Sequence, residues 1–182
     1  MDFELFNTYS NKTELFIPLD DNDIRIYACG PTVYDYIHVG NARPLIIFDV
    51  LVRFLKLIYP KVTYVRNITD VDDKIIVQAN QNKESINNLT ERTIKAFSDD
   101  ADALFVKKPD FEPRATEHIQ EMLKMIKVLL ESGNAYLSDG HVLFSVSSMT
   151  NYGKLSGMNL NEMIDGARVE VSDYKKEPAD FV

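Results

Sequence analysis

The stretch "YACGPTVYDYIHVGNARP", residues 27–44, concentrates side chains that could do chemistry. It holds Cys29, the only cysteine of the chain, and then His38, Gly40 and Asn41. An imidazole can donate a hydrogen bond to a phosphate oxygen on which charge builds up, and a glycine lets a phosphate approach the backbone closely. The spacing alone leaves two interpretations open: a phosphate cradle, or a helix cap preceded by a structural histidine and a small, buried cysteine.

The flanking patterns place this stretch between a strand and a helix. The segment "DIRIYACG" alternates apolar and polar residues and stops at Gly30-Pro31, which is typical of a buried strand that ends in a turn. From Asn41 onward, "NARPLIIFDVLVRFLKLIY" has apolar residues at helical spacing, so we expect Asn41 to cap a helix with Pro44 in its first turn. Ligands of open parallel sheets bind where such loops meet helix N-termini, which favours an anion site at residues 29–41.

A second strand and a second helix follow in the same order. "KVTYVRN", residues 61–67, is β-branched, and a helix through "IIVQANQN" follows the acidic turn "ITDVDDK". A strand, a helix and a strand in this order imply a right-handed crossover and a parallel sheet, and hence an α/β fold. Asp70, Asp72 and Asp73 could bind a divalent cation, but carboxylates are favoured at a helix start, and the turn lacks the glycine and glutamate of a calcium loop.

Beyond about residue 84 the pattern changes to helices. "SINNLTERTIKAFSDDADALF" and "EPRATEHIQEMLKMIKVLLESGN" each carry an apolar stripe. We expect the second helix to have Pro113 in its first turn and to end at Gly133-Asn134. A hairpin is predicted around Asp139-Gly140, and a short helix with an extended piece is predicted in "NLNEMIDGARVEVSDY", residues 159–174.

The bulk composition limits the classes of function. The formal net charge of −8 over 182 residues argues against a broad basic surface for nucleic acid. A single cysteine excludes an intramolecular disulfide framework and is typical of a reducing compartment. The N-terminus "MDFELFNTYS" has no long apolar run, so we expect a cytoplasmic protein with no membrane partner. His118 and His141 are interpreted as surface or packing residues.

Three quoted segments carry a resemblance to a known family. "YACGPTVYDYIHVGNAR", "FDVLVRFL" and "VTYVRNITDVDDKII" resemble the N-terminal catalytic part of cysteinyl-tRNA synthetases, which are class I aminoacyl-tRNA synthetases. Residues 38–41 stand at the first ATP signature of the family, the "HIGH" motif, with Asn41 in place of the second histidine. The likeness continues through "PDFEPRATEHI", "YGKLSG", "GARVEV" and "PADFV".

The resemblance implies a fold and a division of the chain. The expected fold is a Rossmann-like (HUP-type) parallel sheet, of which this chain holds the N-terminal half, with a helical and mixed connective insertion. Residues 1–106 would form the first half of the nucleotide-binding catalytic domain. Residues 107–182 would form the connective region, truncated before the second half.

The resemblance also implies a reaction and roles for individual residues. The family activates L-cysteine with ATP to cysteinyl-adenylate and transfers the cysteinyl group to tRNA(Cys). The ATP enters with Mg²⁺ as a substrate, and a Zn²⁺ ion binds the thiolate of the substrate cysteine. The implied roles are catalysis by His38 and Asn41, ATP binding by Pro31, Thr32, His38, Gly40 and Asn41, contact with the substrate cysteine by Gly30 and Thr69, and zinc ligation by Cys29.

The chain also departs from the family pattern. The other zinc ligands, the second ATP signature "KMSKS" and the domain that grips the anticodon stem have no counterpart in these 182 residues. We therefore expect a fragment that is inactive alone, that holds zinc weakly or not at all, and whose parent protein contacts tRNA mainly through the missing part. Two alternatives stay open: a ligase that joins cysteine to an amino sugar in thiol biosynthesis, and a non-catalytic truncated binding module.

Overall fold

The computed structural model of the chain describes residues 2–158 and 173–182. The predicted short helix and extended piece within residues 159–174 lie, except for the last two positions, outside the described residues. The chain divides into two compact units, one of Pro18–Ile119 and the other of Met1–Ile17 with Gln120–Val182.

The secondary structure of the described residues consists of short strands and four longer helices. The strands are β1 (Glu4–Asn7), β2 (Lys12–Leu15), β3 (Ile24–Ala28), β4 (Val62–Arg66), β5 (Ala135–Ser138) and β6 (His141–Phe144). The helices are α1 (Val39–Ile58), α2 (Asp73–Asn82), α3 (Ile86–Ala103) and α4 (Ile119–Glu131), with 3₁₀ turns at Ala115–His118 and Val146–Ser148. None of the helices in the described ranges is long and apolar enough to cross a membrane.

Strands β3 and β4 form a parallel pair at the centre of the unit Pro18–Ile119. Ile24 lies opposite Val62, and the register continues to Ala28 opposite Arg66. Helix α1 connects the two strands, which confirms the predicted strand, helix and strand. Parallel pairing brings the carboxyl ends of β3 and β4, and the loops that follow them, to one edge of the sheet.

Helix α1 begins two residues before the predicted cap. The prediction that Asn41 caps the helix is wrong: His38 is the N-cap, and its imidazole Nδ1 accepts a hydrogen bond from the backbone N–H of Gly40 at 3.0 Å. Asn41 is the third helical residue, and its Oδ1 accepts from the backbone N–H of His38 at 3.1 Å, which completes a reciprocal capping box. The earlier start moves Pro44 out of the predicted first turn and into the helix.

Two apolar clusters join the helices to one another and to the loops that follow β3 and β4. Both consist of side chains that are at least nine-tenths buried. One cluster contains Val33, Ile68, Ile75, Ala79 and Leu89, and the other contains Leu45, Phe97, Ala101 and Val106. Because Val33 belongs to the first cluster, the loop after β3 is anchored in the core rather than free in solvent.

The segment after α3 returns to the sheet and pairs with β4. The backbone N–H of Arg66 donates to the carbonyl of Phe111 at 3.1 Å, and the N–H of Ile68 donates to the carbonyl of Pro113 at 2.9 Å. Pro113 therefore lies in an extended segment, and the prediction that it opens a helix is wrong. Residues up to Ile119 belong to the same compact unit as β4, while the division into catalytic and connective regions after residue 106 stays a prediction.

The unit of Met1–Ile17 and Gln120–Val182 contains two antiparallel hairpins. Strands β1 and β2 form one of them, with Glu4 opposite Leu15. The other, formed by β5 and β6, turns at Asp139 and Gly140, whose φ angles of 48° and 79° confirm the predicted tight turn. Helix α4 ends before Gly133, as predicted.

A buried carboxylate holds the second hairpin to the C-terminal residues of the chain. Asp180 is 1% exposed and accepts hydrogen bonds from the Tyr136 hydroxyl at 2.6 Å, the Val146 N–H at 3.0 Å and the Glu177 N–H at 3.2 Å. Burial, together with the carboxylate of Asp180, raises the pKa of Tyr136. The phenol therefore stays protonated as a donor well above neutral pH.

Removal of this carboxylate should destabilise the unit strongly. We expect Asp180→Ala to lower the free energy of unfolding by about 2–4 kcal/mol, because three donors lose their acceptor at a buried position. Tyr136→Phe removes one of these three bonds and also the bond that the hydroxyl accepts from the Lys176 N–H at 2.8 Å, so it should cost about 1–3 kcal/mol. Urea denaturation followed by circular dichroism measures both, and equal stability of Asp180→Ala and the parent would contradict this role.

Candidate active site

A small cavity lies between the end of β3 and the start of α1. Its volume is about 120 Å³, and its wall includes Cys29, Gly30, Pro31, Gly40 and Asn41. Five of the eight residues predicted for the site are thus brought to one cavity. The remaining three, Thr32, His38 and Thr69, lie in the loops beside it rather than on its wall.

Residues of β4 and α3 close the inner side of the cavity: Tyr64, Arg66 and Phe97. Arg66 is 4% exposed and pairs with Glu112 at 2.6 Å, while its guanidinium lies 4.9 Å from the centre of the Phe97 ring. Its Nη1 has no hydrogen-bond partner among the described residues. Burial raises the pKa of Tyr64, against the lowering effect of the neighbouring guanidinium.

Cys29 is exposed at the carboxyl end of β3, so the interpretation of it as a small, buried cysteine is wrong. Its thiol makes a weak contact with the carbonyl of Gly30 at 3.8 Å. A thiolate is a donor that zinc favours. However, the described part of the chain contains no cluster of three or more histidine, cysteine or acidic residues that could hold a metal ion. The donor type fits zinc, but the described residues do not make a zinc site by themselves.

Gly30 is required by the close approach of the loops after β3 and β4. Its N–H donates to the side-chain Oδ1 of Asn67 at 2.9 Å. A Cβ atom at Gly30 would lie 1.6 Å from the backbone carbonyl oxygen of Asn67, which is far inside van der Waals contact. Sequence reasoning missed Asn67, although a polar residue directly after a parallel strand is a signal that could have identified it.

The imidazole of His38 faces the first turn of α1 with its Nδ1 atom. Its Nδ1 accepts from the Gly40 N–H, so in the neutral ring the hydrogen sits on Nε2. A Cβ atom at Gly40 would lie 2.7 Å from Cε1 of this ring. The glycine therefore allows the imidazole to fold over the helix start. The Gly40 N–H is bound to His38 in this structure and is therefore not open to a phosphate.

The loops after β3 and β4 run side by side. Thr32 and Thr69 form an isolated parallel bridge. The Thr69 N–H donates to the carbonyl of Pro31 at 3.0 Å, and the Val33 N–H donates to the carbonyl of Thr69 at 3.1 Å. These backbone bonds place Thr69 next to the loop that carries the cavity residues.

A buried hydroxyl on α3 anchors the same loop. Thr93 is 1% exposed, and its Oγ1 lies 2.8 Å from the carbonyl oxygen of Val33. The same oxygen lies 2.8 Å from the Leu89 carbonyl and 3.1 Å from the Thr90 carbonyl, so the single hydroxyl hydrogen is shared between Val33 and the helix's own carbonyls. Sequence reasoning did not identify Thr93, because nothing local marks a threonine in a helix as a partner of a residue 60 positions earlier.

The acidic turn after β4 has structural partners. Asp70 is buried and accepts from the backbone N–H of Thr116 at 2.9 Å and from its hydroxyl at 2.6 Å. Asp72 caps α2 by accepting from the Lys74 N–H at 2.8 Å. These contacts give Asp70 and Asp72 structural roles, and Asp73 is the first residue of α2, where a carboxylate is favoured. His141, interpreted as a packing residue, stacks on Tyr174 with ring centres 4.5 Å apart.

Comparison with known proteins gives relatives that are longer than this chain. The cysteine–tRNA ligase of Gluconobacter oxydans is 54% identical over 178 residues, which are 98% of this chain and 39% of that protein. The cysteine–tRNA ligase of Saccharophagus degradans is 53% identical over 182 residues, which are 100% of this chain and 40% of that protein. The chain thus spans about two-fifths of the length of the curated relatives it matches.

A solved structure supports the fold. Mycobacterium tuberculosis methionyl-tRNA synthetase in complex with methionyl-adenylate superposes with a TM-score of 0.59 at 20% identity, over 63% of this chain and 23% of that chain. The likeness supports an α/β, Rossmann-like fold. The sequence model of the family described as tRNA synthetases class I (C) catalytic domain matches residues 15–182. Because that match takes in nearly the whole sequence, the chain belongs to the family of class I (C) tRNA synthetase catalytic domains.

Proposed function

We propose that this chain is the N-terminal part of a cysteine–tRNA ligase, which activates L-cysteine with ATP to cysteinyl-adenylate and transfers the cysteinyl group to tRNA(Cys). The observation that carries the proposal is the cavity at the start of α1, with Cys29 and Gly30 on one side and Gly40 and Asn41 on the other. Since the chain spans about two-fifths of its relatives, we propose that the activity belongs to a longer protein and that these 182 residues alone have little of it.

In this proposal the start of α1 receives ATP, which arrives with Mg²⁺ on its phosphates. The Nε2–H of His38 donates to the phosphate on which charge develops, while its Nδ1 keeps the ring fixed on the Gly40 N–H. The positive end of the helix dipole favours the same anion. Asn41 acts by holding the His38 backbone, and Pro31 and Thr32 line the approach for the nucleotide.

The substrate cysteine lies beside Gly30 and Thr69 in this proposal, with its carboxylate toward the α-phosphate. Catalysis then consists of positioning the carboxylate for in-line attack and of stabilising charge. We propose Cys29 as one ligand of a zinc ion whose other ligands lie outside the described residues. Zinc favours sulfur and deprotonates a coordinating thiol, which would distinguish cysteine from serine.

The proposal extends to the remaining parts of the protein. Residues 1–106 form the first half of a HUP-type catalytic domain with a larger parallel sheet, and residues 107–182 form the start of its connective region. Contacts with tRNA(Cys) come mainly from the part of the protein beyond this chain. We propose that the protein works in the cytoplasm.

A chimaera tests the proposed activity directly. Residues 1–182 replace the matched 178-residue segment of the Gluconobacter oxydans relative, and cysteine-dependent ATP–pyrophosphate exchange is measured. We expect the exchange rate of the chimaera to be within about tenfold of the rate of that relative, which corresponds to a loss of at most about 1.4 kcal/mol in transition-state stabilisation. Serine in place of cysteine is the substrate control. A chimaera that folds, as judged by circular dichroism, and yet gives no exchange would refute the proposed function.

Variants of His38 separate capping from catalysis. Asparagine is a good N-cap but lacks the Nε2 donor, so His38→Asn in the chimaera should keep its thermal stability and lose about 10²–10³-fold in kcat. His38→Ala should lose the same activity and also about 1 kcal/mol of stability, because the Gly40 N–H loses its acceptor. Full activity of His38→Asn would show that the Nε2 donor has no role.

Substitution of Cys29 tests the proposed metal ligand. We expect Cys29→Ser to reduce bound zinc in the chimaera from about one per chain to a small fraction, because a serine hydroxyl is a poor ligand for zinc. Metal content after desalting is measured by mass spectrometry, with His38→Asn as the matched variant that should keep its zinc. Equal zinc content in Cys29→Ser and the parent would remove Cys29 from the proposed site.

A further inference from the structure

We propose that Asn67 is a positioning residue of the amino-acid subsite, which acts through both residues assigned there, Gly30 and Thr69. This inference rests on the proposed function. The side-chain Oδ1 of Asn67 accepts from the Gly30 N–H at 2.9 Å, and its Nδ2 donates to Thr69 Oγ1 at 3.3 Å. One amide thus joins the loop after β3 to the loop after β4.

The orientation of the Asn67 amide follows from its partners. The backbone N–H of Gly30 can only donate, so the atom that faces it must be the oxygen Oδ1. The nitrogen Nδ2 then faces Thr69, and an amide nitrogen can only donate. Thr69 Oγ1 therefore accepts in this contact and keeps its own hydrogen.

This arrangement determines what the subsite offers a ligand. The Thr69 hydroxyl hydrogen stays available for an acceptor oxygen, such as the carboxylate of an α-amino acid. The Gly30 N–H is already used by Asn67, so Gly30 contributes close approach rather than a hydrogen bond from its backbone nitrogen. Asn67 thereby leaves the Thr69 hydroxyl as the donor for the ligand oxygen and keeps the Gly30 N–H from competing with it.

The backbone around this contact is fixed, so the side chains decide the hydroxyl's direction. The Thr69 N–H donates to the Pro31 carbonyl at 3.0 Å, and the Thr69 carbonyl accepts from the Val33 N–H at 3.1 Å. The carbonyl of Asn67 is so close to Gly30 that no Cβ fits between them. A substitution at Asn67 that keeps its shape should therefore change which group donates and which accepts, while the two loops stay in place.

Asn67→Asp in the chimaera tests the inference with nearly the same shape. One carboxylate oxygen still accepts from Gly30, but the other now faces Thr69 and draws away its hydroxyl hydrogen. We expect KM for L-cysteine to rise about 10- to 100-fold, the range for one hydrogen bond to a charged group, with KM for ATP within about twofold. Asn87→Asp, which adds the same charge at an exposed position of α3, is the matched control.

Thr69 variants give a second, independent measurement. Thr69→Val should raise KM for L-cysteine as Asn67→Asp does. Thr69→Ser should keep KM close to that of the parent chimaera, because it retains the hydroxyl. In the Thr69→Val background, Asn67→Asp should add little, since both changes remove the same donor. If Asn67→Asp lowers thermal stability, the comparison of Thr69→Val with Thr69→Ser tests the inference in its place.

The inference fails if Asn67→Asp matches Asn87→Asp in KM for L-cysteine, or if Thr69→Val leaves that KM unchanged. An inactive parent chimaera would instead count against the proposed function. In that case amide exchange in the 182-residue chain decides. Loss of the acceptor in Asn67→Ala should speed exchange at the Gly30 N–H at least about tenfold, while Asn67→Asp keeps it protected. Unchanged exchange in Asn67→Ala would overturn the positioning role.

Discussion

The candidate site depends on the contact between the loops that follow the two parallel strands. Parallel pairing of β3 with β4 brings both strand ends to one edge, and the approach there is so close that a Cβ at Gly30 would collide with the carbonyl of Asn67. The other contacts between these two loops use this closeness. The backbone bonds between residues 31–33 and Thr69 extend it, and the side chain of Asn67 spans it.

One side chain caps the start of α1 and, in the proposed function, also supplies a catalytic donor. His38 satisfies the Gly40 N–H through Nδ1, and Asn41 returns a bond to the His38 backbone. The same cap fixes the tautomer that leaves Nε2 as a donor. In the proposed function, this residue that caps its own helix also donates to the phosphate that the helix start favours. This cap requires Gly40, because a side chain there would collide with the imidazole of His38.

Local patterns in the sequence predict the elements well and their long-range contacts poorly. The alternation in "DIRIYACG", the β-branched "KVTYVRN" and the Asp139-Gly140 pair predict β3, β4 and the second hairpin correctly, since each depends on neighbours in the chain. The cap of α1 was missed because asparagine is a common N-cap and histidine is not. Pro113 was misplaced because pairing of its segment with β4 overrides its preference for a helix start. The place of Asn67 directly after a strand marks it as a candidate, but its partner lies 37 positions away and that of Thr93 lies 60 positions away, and no local pattern encodes those contacts.

We propose that these adjoining loops hold one reacting molecule, with its amino acid beside Gly30 and its phosphate at His38. The most direct measurement is a crystal structure of the chimaera with a non-hydrolysable sulfamoyl analogue of cysteinyl-adenylate. We expect the sulfamoyl oxygens at about 3 Å from His38 Nε2 and the cysteinyl group against Gly30 and Thr69. An analogue bound with its sulfamoyl group away from the start of α1 would contradict it.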